Sequence, residues 1–331
     1  MFIIESYSMA VIFCFVTMLC WGSWANTQKL TAGNWRFELF YWDYVLGVLI
    51  FTLVLALTLG SVGGNGRSFV NDLGQASIPN LRSAFIGGVI FNAANILLSA
   101  AIAIAGMSVA FPVGIGLALV LGVIVNYLDT PLGDPLFLFS GVACIAAAIG
   151  LNAYAFQRQA AGQKQNTSKG LLLSIISGSL MGLFYKYVAN AMTIDFANPE
   201  ALKLTPYTAL FLFSLGVLAS NFLFNSLLMR FPISGLPVSM SEYFKGTARN
   251  HLVGILGGGI WSLGMSFSIL ASEKAGPAIS YGLGQGATVV AAIWGIYIWK
   301  EFKNAPSTVH RILNLMLLFY VIGLAIIIYS R

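Results

Sequence analysis

Of 331 residues, 58% are hydrophobic and only 8% charged, with a mean hydropathy of +0.84. A soluble fold of this size would lack a usable polar surface, so the bilayer is the expected solvent. The net charge of +6 then reads as an orientation signal carried by loops and gives no argument for nucleic acid.

Apolar runs of about twenty residues recur ten times, around residues 7–28, 40–60, 82–104, 107–128, 135–156, 170–192, 206–229, 251–272, 276–299 and 308–329. The first run starts almost at Met1 without a basic n-region or a small-residue cleavage motif, so it is expected to remain as a span. Near its end stand Trp21, Gly22, Trp24 and Asn26; Trp24 and Asn26 are candidate substrate contacts, whereas Trp21 reads better as an interfacial anchor. Asp43, at the start of the second run, is the carboxylate best placed inside a span, either as a proton carrier or as a solvated interfacial group.

The third run carries Gly88, Asn92, Asn95 and Ser99 at spacings of four, three and four. That pattern puts all four on one helical face, where Asn92 and Asn95 can line a cavity or bond to a neighbouring helix. In the fourth run Gly114, Ala118 and Gly122 form a small-residue ridge for close packing, with Phe111 and Pro112 near its start. A polar segment, 157–169, follows the fifth run. In the sixth, Lys186 lies at membrane depth, where an ammonium costs roughly 2–3 kcal/mol on insertion scales. It either faces substrate and proton, in which case Lys186→Ala would abolish transport, or it snorkels to the nearby surface.

Asn221 and Asn225 in the seventh run suit interhelical bonding. The eighth run offers Trp261 and Ser262 as binding candidates, and the ninth offers Tyr281 and Gln285, with Thr288 on the same face. Gly282, Gly284 and Gly286 have no preceding strand and no Lys-Ser/Thr pair, so they argue for packing and not for a phosphate loop. His251 and His310 start helices and are expected to be solvated. Cys14, Cys20 and Cys144 lie in apolar runs without pair spacing, so neither a disulfide, a metal site nor any cofactor is expected. No nucleophile, metal cluster or acid pair supports an enzyme.

A stretch of about forty residues occurs twice without a gap: residues 87–127 match 257–297 at an offset of 170, pairing Gly88 with Gly258, Phe111 with Tyr281 and Gly116 with Gly286. The ends of the first and sixth runs match at an offset of 160. Five spans on each side of 157–169 imply two repeats of opposite topology, 1–156 and 170–331, joined by that segment. The expected fold is therefore all-α and integral to the membrane, ten transmembrane helices in two inverted five-helix repeats. Eleven Lys and Arg residues lie in loops on the side of the central segment and five on the other, which puts that segment in the cytoplasm and both termini outside. Gly106 and Gly276, each followed by a proline, are expected flexible points.

Several strings stand in family order: Ile-Glu-Ser at the N-terminus, Gly-Ser-Trp, Ala-Leu-Thr-Leu-Gly, Gly-Met-Ser-Val, Asn-Tyr-Leu-Asp, Gly-Val-Ala-Cys and Lys-Leu-Thr-Pro-Tyr-Thr-Ala. In these the chain resembles the drug/metabolite transporter superfamily and, within it, the ureide permeases, to which bacterial glucose/ribose porters and rhamnose/proton symporters are related. The resemblance implies proton-coupled uptake of a small neutral polar metabolite, a central site shared by both halves, and alternating access. The plant ureide permeases have a longer central loop with a phosphate-loop-like motif that 157–169 lacks. On that ground sugar uptake across a bacterial inner membrane is placed first, a ureide or nucleobase second, and drug export third. Ten spans can form a pathway in a monomer.

Overall fold

The computed structural model describes residues 1–331 apart from 32–34, 106, 160–166, 234, 299, 301 and 304. Among the described residues the chain is helical, with one isolated bridge between Met192 and Leu204. The long helices are α1 Tyr7–Ser23, α3 Phe37–Leu57, α5 Ile78–Ala105, α6 Met107–Asp129, α7 Pro135–Gln159, α8 Thr167–Ala191, α9 Pro206–Arg230, α11 Ala248–Ala275 and α14 Ser307–Tyr329. Shorter ones are α2 Asn26–Lys29, α4 Phe69–Gln75, α10 Met240–Phe244, α12 Pro277–Gly284 and α13 Ala287–Ile293, the last leading into a π turn at Trp294–Ile298. Nine spans among the described residues are long and apolar enough to cross a membrane; Val113–Asp129, within α6, is apolar but shorter. Helices are what an apolar solvent demands, because each closes its backbone hydrogen bonds within itself.

Caps and breakers fix several ends. Ser6 and Thr247 accept hydrogen bonds from Met9 N and Asn250 N at the starts of α1 and α11, and Pro206 opens α9 where its missing N–H has no intrahelical partner to lose. Gly276, at φ +87°, turns the chain between α11 and Pro277, a conformation open to glycine. The matching expectation at Gly106 lies outside the described residues, as do the side chains of Phe111 and Pro112. Helices α7 and α8 run to Gln159 and from Thr167, both within the segment expected to be a linker.

Two of the expected spans run through, Tyr7–Gln28 and Pro277–Ile298, but each has one irregular point. In the first it is Trp24 and Ala25 and in the ninth Gln285 and Gly286, all four still in right-handed helical conformation. The two regions touch: a Cβ on Gly284 would press on the Trp21 ring, one on Gly22 would meet the carbonyl of Ala287, and Trp294 Nε1 donates to Ser23 Oγ at 2.9 Å. Two glycines around Gln285 weaken the helix there, and backbone bonds tighten to Gly286 N–Leu283 O at 2.9 Å and Val289 N–Gly286 O at 2.9 Å.

Helices α5 and α9 cross where Gly88 faces the Phe213 carbonyl and Gly216 faces that of Phe85. Helices α11 and α3 cross in the same manner, Gly258 on Tyr44 O and Gly47 on Ile255 O. A methyl at any of the four would collide with backbone, so glycine sets the interaxial distance. The glycines of one crossing stand 170 and 169 positions from those of the other, Gly88 from Gly258 and Gly47 from Gly216.

Candidate functional site

The irregular points and the crossings surround one cavity. Its wall is Trp21 and Trp24 at the end of α1, Phe91, Asn95 and Leu98 on α5, Ile115 on α6, Met181 and Phe184 on α8, Trp261 on α11, and Gln285, Ala287 and Thr288 around the irregular point of the ninth span. About 80 Å³ of it is reachable by the centre of a water-sized sphere, against roughly 10–15 Å³ for one water. Trp261 anchors the aromatic part: its ring lies 4.4 Å from Phe91, 5.9 Å from Phe213 and 6.0 Å from Trp21, and Trp21 Nε1 donates to Trp261 O at 3.2 Å. Such pairs add about 0.5–1.5 kcal/mol each beyond their buried area. Trp21 is therefore a wall residue, contrary to its expected place at the interface.

Eight wall residues are four pairs at the repeat offsets: Trp21 with Met181, Trp24 with Phe184, Phe91 with Trp261, and Ile115 with Gln285. The last pair is the chemically unequal one. Gln285 is 6% exposed, and its side-chain amide has no hydrogen-bond partner among the described residues. Asn95 is also 6% exposed and is tied on one side only, Nδ2 donating to Tyr41 Oη at 3.0 Å. A polar group left unpaired in a protein interior costs about 1–3 kcal/mol, so two half-free amides on one apolar wall mark a place for a polar ligand.

Of the expected substrate contacts, the cavity brings together Trp24, Asn95, Trp261 and Gln285. Asn92 is fully buried between Tyr41, whose hydroxyl donates to Oδ1 at 2.9 Å, and Ser220, which accepts from Nδ2 at 2.9 Å. Tyr281 donates to Met181 O at 3.0 Å and Ser262 lies against Val48 O at 3.5 Å; both are helix–helix contacts off the wall. Asn26 donates to Ser23 O at 3.0 Å, just past the irregular point of its span. Lys186, expected to face substrate, reaches Asp129 Oδ1 at 2.9 Å instead, with Asn190 on the other carboxylate oxygen at 3.1 Å. Its side chain is 36% exposed, which is the snorkelling arrangement. Phe91, Leu98, Ile115, Met181 and Phe184 also line the wall; their signal in the sequence was only their register with Asn95 and with the repeat partners.

Asp43 is 1% exposed and lies apart from the cavity at the start of α3. His251 Nδ1 is 2.9 Å from Oδ2, and Tyr243 of α10 donates to Oδ1 at 2.6 Å. Trp35 and Tyr243 enclose the imidazole at 5.5 and 4.8 Å between ring centres. Burial, reinforced by the neighbouring carboxylate, raises the Tyr243 hydroxyl well above its ordinary range, so it stays a neutral donor. His251, expected to be solvated, is thus a carboxylate partner. Among the described residues no group of three or more His, Cys, Asp or Glu side chains could hold a metal.

The profile of the family described as ureide permease matches residues 40–169 and 157–330, two stretches that overlap on the central polar segment. Ureide permease 1 of Arabidopsis thaliana is 24% identical over 389 aligned positions, covering 100% of this chain and 99% of that protein. Ureide permease 3 of the same plant is 26% identical over 84% of this chain and 89% of its own length. A solved crystal structure superposes with a TM-score of 0.61 at 16% identity over 96% of both chains, a likeness of fold alone. With most of its length matched, in both halves, the chain is a member of the ureide permease family.

Proposed function

We propose that this membrane protein is a permease that carries a small, neutral, hydrogen-bonding ring compound of the ureide or nucleobase kind through the cavity between α1, α5, α8 and α11. The observation that carries this is the wall itself: aromatic faces, two incompletely bonded amides, and no charged side chain among its described lining. A charged solute would stay uncompensated there, whereas a flat ring with polar edges is held by stacking and by amide bonds. The family and the names of its plant members place a ureide ahead of the sugar that the short central segment suggested. A sugar could use the same surfaces, and a lipophilic cation would fit a drug exporter.

The reading includes alternating access by two inverted five-helix repeats, 1–156 and 170–331, with ten spans and both termini outside. Its support is the four paired wall residues and the paired glycine crossings, which are what a pseudo-two-fold axis through the cavity would produce. Trp24 and Gln285 stand at the irregular points of their spans, where helical hydrogen bonding tightens. Proton coupling is assigned to Asp43, a buried carboxylate hydrogen-bonded to His251 and Tyr243. Lys186 takes no part.

The test is thermal stabilisation of the purified protein by allantoin, uracil, ribose, glucose, rhamnose and a quaternary ammonium drug. Binding to the native state raises the midpoint by linkage, about 2.7 kcal/mol at a hundredfold excess over Kd. Stabilisation by allantoin or uracil supports the reading; shifts confined to sugars or to the cation would replace it.

A further inference from the structure

We infer that Asn95 reads an N–H on the transported ring, and that Tyr41, Asn92 and Ser220 are positioning residues that hold its amide in the sense required. The inference rests on the ureide reading and adds to it a donor–acceptor pattern.

The four residues form one chain of hydrogen bonds running away from the cavity. Asn95 Nδ2 meets Tyr41 Oη at 3.0 Å, Tyr41 Oη meets Asn92 Oδ1 at 2.9 Å, Asn92 Nδ2 meets Ser220 Oγ at 2.9 Å, and Ser220 Oγ meets Gly216 O at 2.8 Å. Only the last group has a polarity that no rotation can alter, because a backbone carbonyl can only accept. Ser220 Oγ also reaches Val217 O at 3.1 Å, so its proton lies toward two backbone carbonyls and its oxygen accepts from Asn92. The Asn92 NH2 then faces Ser220 and its carbonyl faces Tyr41. Tyr41 must donate to that carbonyl, which leaves its oxygen to accept from the Asn95 NH2. By elimination, the Asn95 carbonyl is the end of the amide left to the cavity. The network decides this orientation, as it must for any amide whose O and N look alike.

The members of the chain are buried: Tyr41 and Asn92 are 0% exposed and Ser220 9%. Turning Asn95 over would oppose its oxygen to that of Tyr41, or oblige every bond down to Ser220 to reverse and take the Ser220 proton off the Gly216 and Val217 carbonyls. Gln285 differs, since its amide has no partner among the described residues and can present either end. One reader is fixed as an acceptor and the other adapts. A ring N–H flanked by carbonyls satisfies the fixed reader; an N-methyl group or a bare ring nitrogen leaves it unpaired among aromatic rings.

The experiment measures Kd for uracil and hydantoin, each beside its N,N′-dimethyl form, on the purified full-length protein. The wild type should favour the N–H forms by about tenfold or more, the value of one buried acceptor left unmatched. Tyr41→Phe and Ser220→Ala release the amide and should bring that ratio to within about threefold, largely by improving binding of the dimethyl forms. A merely structural role would weaken both forms alike and keep the wild-type ratio; that result overturns the relay, and so does a wild type that binds both forms equally. Should Tyr41→Phe fail to fold, Ser220→Ala decides. A wild type that binds none of the four compounds while a sugar stabilises it would defeat the ureide reading and this inference with it.

Discussion

Two buried carboxylates stand near opposite ends of α3, and they are held by different chemistry. Beyond its C-terminal end, Asp72 is gripped by Arg67 Nε at 2.8 Å, by the backbone N–H of Thr205 at 2.8 Å and by the Thr205 hydroxyl at 3.0 Å. Arg67 also spans to the carbonyls of Glu200 and Lys203 at 3.0 Å each. At the other end, Asp43 meets the imidazole of His251 and the phenol of Tyr243. Guanidinium keeps its proton at any working pH and a backbone N–H cannot give one up, so the Asp72 knot is fixed. Under the proposed proton coupling, the Asp72 knot is the structural clasp and Asp43, whose partners His251 and Tyr243 come from α11 and α10, is the coupling element.

The contrast can be broken first at the fixed end. Asp72→Asn should lower stability by about 3 kcal/mol, since it leaves Arg67 and the Thr205 N–H of α9 without their charge; the thermal midpoint of the purified protein reads this, and a midpoint within about a degree of wild type would show the knot to be incidental. At the other end, Asp43→Asn keeps most of the hydrogen bonds and should cost no more than about 1 kcal/mol. Its predicted loss is functional: exchange of labelled solute across proteoliposomes persists, while accumulation driven by an imposed pH gradient falls. Gradient-driven accumulation that survives in Asp43→Asn would remove the carboxylate from coupling.

A third carboxylate sharpens the comparison from the weak side. Asp129 pairs with Lys186 at 2.9 Å, but their side chains are 25% and 36% exposed, so screening leaves the pair worth about 0–1 kcal/mol. Lys186→Ala should change stability by no more than that and leave transport in place.

These differences explain what could be read from residues alone. Composition and run length exposed the helical membrane class, because both are properties of local sequence; the 170-residue offset named equivalent glycines such as Gly88 and Gly258 but not their partners, Phe213 and Tyr44. Trp24, Asn95, Trp261 and Gln285 were legible since aromatic and amide groups at membrane depth need a reason. Asn92 sits three residues from Asn95, about 300° around the helix, and that turn alone sends one amide to α9 and the other to the cavity. Lys186 looked buried because Asp129 is 57 residues away and no periodicity could supply it. Tyr243 and His251 lie 200 and 208 positions from Asp43, and Trp21 was misplaced because an aromatic near a span end has the same signature at an interface as on a cavity wall.

The central claim is that solute binds at the cavity wall and not at Lys186. Uptake of radiolabelled allantoin by proteoliposomes containing Gln285→Ala or Lys186→Ala tests it in one comparison. The account predicts at least tenfold weaker uptake for Gln285→Ala, the loss of a buried hydrogen-bonding group, and uptake within about twofold of wild type for Lys186→Ala. Normal uptake in Gln285→Ala with abolished uptake in Lys186→Ala would contradict it.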